Sequence, residues 1–272
     1  MNLAEPPSLP SGSAPGFPRT GTQSLSRAIN LLRVVATRPQ FGWRLSDLAV
    51  ACHQDRATVH RILACLVEER FVQQRPSDKH YLPGPLMFEL GLARAEDVDF
   101  QRRAEVVMKN FSRRMAGIAR LQLRSGDDYV CSVRTGVLKL TGDMVQVGTR
   151  RPLFTSAAGV AILQTLPGDE AGRILRRNLA QEIERHGKGR LKALQKMREC
   201  SDRHGFGVNF GFVVPGSYTF ALPVRSIQGD AFAALALVGT PELYGEGRLQ
   251  EIRDELELAV TALSAEARKS NI

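Results

Sequence analysis

The chain of 272 residues has no apolar run near the roughly 20 residues that a membrane-spanning helix needs. Its four cysteines, Cys52, Cys65, Cys131 and Cys200, are scattered and form no CxxC pair. Thiols spaced this way read as reduced, buried structural residues rather than a disulfide framework. The five histidines (53, 60, 80, 186 and 204) show no HxxxH spacing. Cys52, His53, His60 and Cys65 make a poor zinc set as well, because His60 and Cys65 lie five apart on one helix and share no face. No GxSxG, GxGxxG or Walker loop occurs, and GKGR at 187–190 lacks the remaining positions of a phosphate loop. Cys131 falls on an alternating strand, where a core thiol is the plain reading. With no catalytic residue, metal or cofactor to name, the chain does not read as an enzyme.

What is present in excess is positive charge. Lys plus Arg number 37 against 28 for Asp plus Glu, a formal net charge of +9. That balance favours a polyanionic partner, because neutralised phosphates release counterions. With 43% hydrophobic and 24% charged residues the composition is globular, and the length allows two domains with separate cores. Residues 1–23 hold five prolines with several Gly and Ser and lack the apolar core of a signal peptide. They read as a disordered tail, and the expected compartment is the cytoplasm, with no membrane partner.

The N-terminal pattern is helical. SLSRAINLLRVVAT, from Ser24 as N-cap, places Leu25, Ala28, Ile29, Leu32 and Val35 on one face, and Pro39 follows. Ser46 is the expected cap of a short helix, with Leu45 packing back as a staple and Leu48, Ala49 and Cys52 inward. Asp55 caps a third helix whose core stripe is Val59, Ile62, Leu63 and Leu66. Arg56, Thr58, His60 and Arg61 fall largely outside that stripe, near the helix N-terminus. Phe71–Gln74 and His80–Leu82 alternate around the turn sequence Arg75-Pro76-Ser77-Asp78-Lys79, giving a basic-tipped hairpin. Three helices and such a hairpin make a winged helix-turn-helix over residues 24–84. In that module the third helix enters the major groove and its first turns reach base edges. Arg56, Thr58, His60, Arg61, Arg75 and Lys79 are the expected contacts to double-stranded operator DNA. Thr58 equally suits a first-turn bond to the backbone, and His60 a plain solvent position.

SLSRAINLLRVV, RLSDLA, RATVHRILACLVEERFV and YLPGPLMFELG together resemble the DNA-binding region of the IclR-type bacterial transcription regulators. Several spaced motifs occur in the family's order across residues 24–92. The turn departs from the family, with Cys52-His53-Gln54-Asp55 where a Leu-Gly-Leu-Pro type sequence is usual, and Pro83 precedes Gly84-Pro85 in the closing motif.

Downstream, residues 85–100 read as one linker helix with Leu86, Leu90 and Ala93 inward. A helix over 101–117, a hairpin of ARLQLRS and YVCSVR, a helix over 188–203, strands at 207–210, 218–225 and 231–239, and a final helix over 246–268 follow. This is an α+β class: a winged helix-turn-helix joined through the linker to an effector-binding and oligomerisation domain over 101–272. VGTRRPLFTSAAGVAIL, HGFGVNF, VPGSYTFALPVR and GDAFAALALVG are similar to the family's effector domain, which resembles a GAF-like sensor. The resemblance implies a small organic acid effector. By position it implies pocket residues Leu140, Asp143, Met144, Ala157, Ala158, Gly159, Asn209, Ser217 and Thr219. The small residues 157–159 suit either an anion at a helix N-terminus or close helix–sheet packing. Where the family carries an acidic run, this chain reads Asn209-Phe210-Gly211-Phe212, which points to a monoanionic, aromatic acid. A homodimer or homotetramer is expected, because one recognition helix covers too few base pairs. The alternative is a winged-helix protein- or RNA-interaction protein with a degenerate sensor.

Overall fold

The computed structural model describes residues 22–140, 142 and 145–272. The expected tail thus lies almost wholly outside the described residues, as do Asp143 and Met144.

The N-terminal domain consists of α1 (Gln23–Val35), α2 (Leu45–Ala51), α3 (Arg56–Glu68) and the antiparallel strands β1 (Val72–Gln74) and β2 (Tyr81–Pro83). Trp43 adds a bridge to Tyr81, so the wing starts from the segment that leads into α2. Leu31, Val35, Leu48, Val59, Leu63, Leu66 and Val72 form its core. The Asp55 carboxylate caps α3 by accepting the Thr58 N–H at 2.8 Å. The other two caps differ from expectation. α1 starts at Gln23 after Thr22, and α2 starts at Leu45 after Arg44, each without a side-chain cap bond. Ser46 instead bonds Asp47, and Leu45 is the first residue of α2 rather than a staple before it.

Two apolar stripes also turn out differently. In α1 the buried residues are Leu31 and Val35, while Leu25 is 60% and Ile29 42% exposed. The first two turns of that helix overhang the domain. The linker is two helices: α4 (Pro85–Gly91) ends before Leu92-Ala93-Arg94, and α5 (Ala95–Met115) begins anew. Leu90 and Ala93 are exposed, because α4 makes only one face of contact with the small domain.

The C-terminal domain is a three-layer α/β/α sandwich on a six-stranded antiparallel sheet in the order β5-β4-β3-β8-β7-β6. The strands are β3 (Ile118–Ser125), β4 (Asp128–Thr135), β5 (Arg150–Pro152), β6 (Gly207–Phe210), β7 (Tyr218–Arg225) and β8 (Ala231–Gly239). Each half is a meander, and β3 pairs β8 to join them. One face packs against α5 and α9 (Leu249–Lys269) through Ala119, Leu121, Phe220, Leu235 and Leu237. The other packs against α6 (Ala157–Leu163), α7 (Gly168–His186) and α8 (Leu191–His204) through Tyr129, Ala221, Ala234 and Ala236.

The helix α7 has no counterpart in the expected elements. Its buried positions are Ile174, Asn178 and Glu182, so two of three core-facing residues are polar and the apolar period is hidden. Both polar groups are satisfied. Asn178 accepts the Phe154 N–H at 3.0 Å and donates to the Asp127 carbonyl at 3.1 Å; Glu182 receives Arg190 at 3.0 Å. Cys65 also departs from expectation. It is exposed on α3, four residues from Arg61 and away from the core, whereas Cys52, Cys131 and Cys200 are buried.

Gly159 is a packing requirement. A Cβ there would overlap the Leu153 carbonyl oxygen, because α6 lies directly on the 3-10 turn Leu153–Thr155. Gly207 plays the same part on β6, where a Cβ would run into the Ala157 oxygen. Gly159→Ala is therefore expected to cost about 1–3 kcal/mol, as overpacking does. Gly168→Ala, at the open start of α7, should stay within about 0.5 kcal/mol of wild type. Urea denaturation followed by far-UV circular dichroism compares the two, and equal stability would refute the packing account.

Candidate functional site

On the DNA-binding module, Arg56, His60 and Arg61 are exposed along one side of α3, opposite Val59, Leu63 and Leu66. Thr58 is half-buried. Its N–H is used by Asp55 and its hydroxyl receives Arg61 at 3.4 Å, so it orients the arginine as well as the helix start. At the wing, Lys79 is exposed at the tip with φ near 59°, which aims the turn outward.

Arg75 is placed otherwise. Its guanidinium makes a two-point pair with Asp78 (2.9 and 2.8 Å) and donates to the Phe41 carbonyl at 2.7 Å. That bonding with Arg75, first of all, holds the Asp78 carboxyl well below the usual carboxylate range. Arg75 thus fastens the wing to the α1–α2 loop, and its donors are spent inside the protein. A residue that sequence reasoning did not single out, Arg44, is exposed at the N-terminus of α2.

In the C-terminal domain the sheet face toward α6 carries a polar row. Alternation places Arg120 and Gln122 of β3 there, since their neighbours Ala119 and Leu121 face α5 and α9. The same parity brings Tyr129 (β4), Arg151 (β5), Thr219 (β7) and Asn209 (β6) to that face, through the pairs Tyr129–Arg151 and Asn209–Thr219. These six residues, with Ser156, Ala157, Ala158, Met197 and Ser217, line a cavity of about 80 Å³. Its roof is two loops that meet, for a Cβ on Gly142 would stand 3.4 Å from Val214. Asn209 folds the second loop by accepting the Phe212 N–H at 3.0 Å.

Of the residues expected at a pocket, Ala157, Ala158, Asn209, Ser217 and Thr219 come together in this cavity. Gly159 and Leu140 are not part of its lining. The Gly159 N–H is taken by the Ser156 hydroxyl at 3.0 Å. Arg120, Gln122, Tyr129 and Arg151 were not anticipated. The signal was available in RLQ, because polar residues at alternate positions of a strand covered on both faces must face a cavity or a partner.

Two arginines enter the described lining. Arg120 is buried and Arg151 half-buried, and no Asp or Glu stands among the described lining residues. Burial pushes the Tyr129 phenol up, with Arg151, Ser156 and Arg120 pulling the other way, so the hydroxyl stays a neutral donor. The expected aromatic contribution from the 209–212 segment is absent. Phe210 turns to the opposite face and packs its ring against Tyr218 and Phe220, and Phe212 lies under Lys196 outside the lining. Period-two alternation from the inward Asn209 dictates that result. Among the described residues, no group of three metal-ligating side chains and no helix long and apolar enough to cross a membrane occurs.

The two modules match family models in the same order. Residues 24–76 match the IclR helix-turn-helix domain, and residues 93–265 match the bacterial transcriptional regulator IclR C-terminal domain. The chain belongs to the IclR family. This IclR-family chain is 22% identical over 246 residues to the HTH-type transcriptional regulator KipR of Bacillus subtilis, covering 89% of this chain and 96% of KipR. It shares the fold of an IclR family transcriptional regulator from Brucella abortus (TM-score 0.70, 19% identity, 93% and 95% of the two chains). It also shares that of an IclR homolog from Microbacterium hydrocarbonoxydans complexed with 4-hydroxybenzoate (TM-score 0.66, 17% identity, 91% and 100%). The protein is a helix-turn-helix transcriptional regulator, and the family's members are regulators rather than enzymes.

Proposed function

We propose that this IclR-family regulator binds operator DNA in the cytoplasm as a homodimer or homotetramer and responds to a small organic acid held in the cavity under α6. The observation that carries the reading is the lining itself: two arginines, a buried phenol and side-chain amides converge on one small space with no acid among its described residues. Such a site prefers an anion, because a cationic, partly desolvated lining forms stronger charge-assisted bonds with an anionic ligand than with a neutral one. The 4-hydroxybenzoate complex of the Microbacterium relative supports a carboxylic acid as the class of ligand for a chain of this fold. An aromatic ring is less favoured here, since Tyr129 is the one aromatic side chain among the described lining residues.

The cavity has two routes to the DNA-binding module. One is the α4–α5 linker, as the sequence suggests. The other is the loop after β4: Val145 lines the cavity, and three residues on Gly148 packs beside Ala36 and Pro39 of the α1–α2 loop. His53, in the turn before α3, also meets Glu184 of α7 at 3.7 Å. A ligand that moves the roof loop therefore acts on the support of the wing and recognition helix. It does so only if it binds the two arrangements with different affinity.

For self-association, the exposed apolar residues Leu25 and Ile29 of α1 and Phe88, Leu90 and Leu92 around α4 form the surfaces that a second copy would cover. Phe88 is 70% exposed, so Phe88→Asp should leave the fold intact, shift the protein toward monomer in analytical ultracentrifugation and weaken operator binding. An unchanged sedimentation profile would exclude α4 from the interface.

Arg61→Ala is expected to cost roughly 1–3 kcal/mol of operator affinity, as one lost base contact does, and Lys79→Ala to reduce the salt slope of log Kd by about 1. Arg75→Ala should leave that slope unchanged while destabilising the wing, because its donors go to Asp78 and Phe41. A fall in slope for Arg75→Ala would return it to the phosphate contacts.

Ala158→Phe should abolish the effect of added organic acids on operator binding, since the ring fills the cavity. Fluorescence anisotropy of labelled operator, with and without acid, measures this. A folded Ala158→Phe protein that responds like wild type would place the effector elsewhere; Ser217→Phe at the rim is the substitute if Ala158→Phe does not fold.

A further inference from the structure

Positive charge is unevenly placed on the C-terminal domain. Residues 207–272, which include α9, hold eight Asp and Glu against five Lys and Arg. Residues 171–198, over most of α7, the following turn and the first half of α8, hold nine Lys and Arg against Glu182 and Glu184 alone. Five of those nine cations are engaged within the protein. Arg190 bonds the buried Glu182 at 3.0 Å, and Arg198 meets Asp202 at 3.5 Å. Arg173 and Arg177 share the Asp127 carboxylate at 3.4 and 3.0 Å, and Lys196 lies over the Phe212 ring. Arg176, Arg185, Lys188 and Lys192 are exposed and make no ion pair among the described residues.

This basic face adjoins the DNA-binding module. Glu184, one residue before Arg185, stands 3.7 Å from His53 in the turn that leads into α3. His53 closely precedes the Asp55 cap and Arg56, so the C-terminal end of α7 lies beside the leading end of the recognition helix. In a helix-turn-helix that end enters the major groove, and the phosphates bordering the groove pass beside the turn. From Glu184 back to Arg176 is about 12 Å along the helix axis. A duplex carries one charge per roughly 1.7 Å of its axis, so a run of that length meets several phosphates. Exposed Lys and Arg alone imply no partner. What sets these four apart is their continuity with the groove-facing end of α3 and the acidic balance on the α9 side of the sheet.

We propose that Arg176, Arg185, Lys188 and Lys192 bind the phosphates of DNA flanking the base pairs that α3 reads. The effector domain is then a second, sequence-independent DNA contact. This rests on the reading of the chain as an operator-binding regulator. The contact adds affinity and lengthens the footprint without base discrimination, since phosphates carry no sequence information.

The test uses the full-length protein and a duplex that it selects from a pool with a randomised core. That duplex is made at about 20 base pairs, two helical turns, and again with about 10 arbitrary base pairs added at each end. Fluorescence anisotropy over roughly 50 to 200 mM salt gives the slope of log Kd against log salt. Combining Arg176→Gln, Arg185→Gln, Lys188→Gln and Lys192→Gln should lower that slope on the longer duplex by roughly 2–4 for each protomer bound. On the shorter duplex the change should stay below about 1. The preference for the selected core over a scrambled one should stay within about twofold of wild type, whereas Arg61→Ala reduces it. If the combined variant does not fold, Lys188→Gln with Lys192→Gln should give about half the fall in slope. A wild-type slope on the longer duplex overturns the proposal, as does an equal fall on both lengths. An unchanged slope in a variant that sediments as a smaller species also overturns it, and assigns the face to a second copy. Failure of the wild type to select any core from the pool would instead sink the operator-binding reading, and the proposal with it.

Discussion

Strands β3 and β8 pair antiparallel with Ile118 opposite Val238, and this register sets the facing of two three-stranded meanders at once. It puts Ala119 and Leu121 with Leu237 and Leu235 against α5 and α9, and Arg120 and Gln122 with Ala236 and Ala234 beneath α6. A slip of one residue would bury the arginine in the apolar layer and turn leucine into the cavity. The alanines of β8 matter equally. Small side chains at 234 and 236 let α6 settle close to the sheet, and the same closeness requires Gly159 against Leu153 and Gly207 against Ala157. The cavity is the space left where α6 begins and the polar row continues.

Much of this was legible in the sequence because the relevant elements declare themselves by period. β7 and β8 alternate or run apolar between clear turns, α3 shows its stripe with an Asp cap, and their observed limits agree with the pattern. α7 was not legible, since its inward residues Asn178 and Glu182 look like a solvent face until Asp127, Phe154 and Arg190 are brought to them by the fold. The single linker helix failed for another reason. Gly91 stands directly before the break at 92–94, but the apolar positions Leu86, Leu90 and Ala93 carry a helical period across it and hide the interruption between α4 and α5.

The candidate sites divide in a similar way. Positions at the start of α6 and on the facing strands were reachable from local motif and come together in space. The arginines were missed because a charged residue in a strand ordinarily signals solvent. That default fails for a central strand: β3 has neighbours on both edges and helices on both faces, so Arg120 is buried and faces the cavity rather than the surface. The reverse error occurred at the wing. Arg75 lies in a basic turn, where local sequence suggests a phosphate contact, yet Asp78 three residues on and the Phe41 carbonyl take up its donors. Whether a surface arginine is available depends on what the chain folds next to it.

Arg75 also bears on how the two domains are connected. The α1–α2 loop is held from two sides: Arg75 ties Gln40 and Phe41 to the wing, and Gly148 of the cavity roof lies beside Ala36 and Pro39. Arg38, in the same loop, stacks over Trp43, which bridges to the wing strand at Tyr81. The loop is thus a short mechanical connection between the roof and the wing, a few residues long and free of long flexible links. Packed elements of this kind shift between discrete arrangements rather than deforming smoothly. Val145 of the cavity lining stands three residues before Gly148 in that loop, so the cavity wall and the α1–α2 loop share one short segment. Roughly 1–3 kcal/mol is typical of coupling between two sites, about the worth of one hydrogen bond to a charged group. Held by Arg75 on one side and Gly148 on the other, the α1–α2 loop is the element whose position the two domains share, so a displacement of either side must be met by the other.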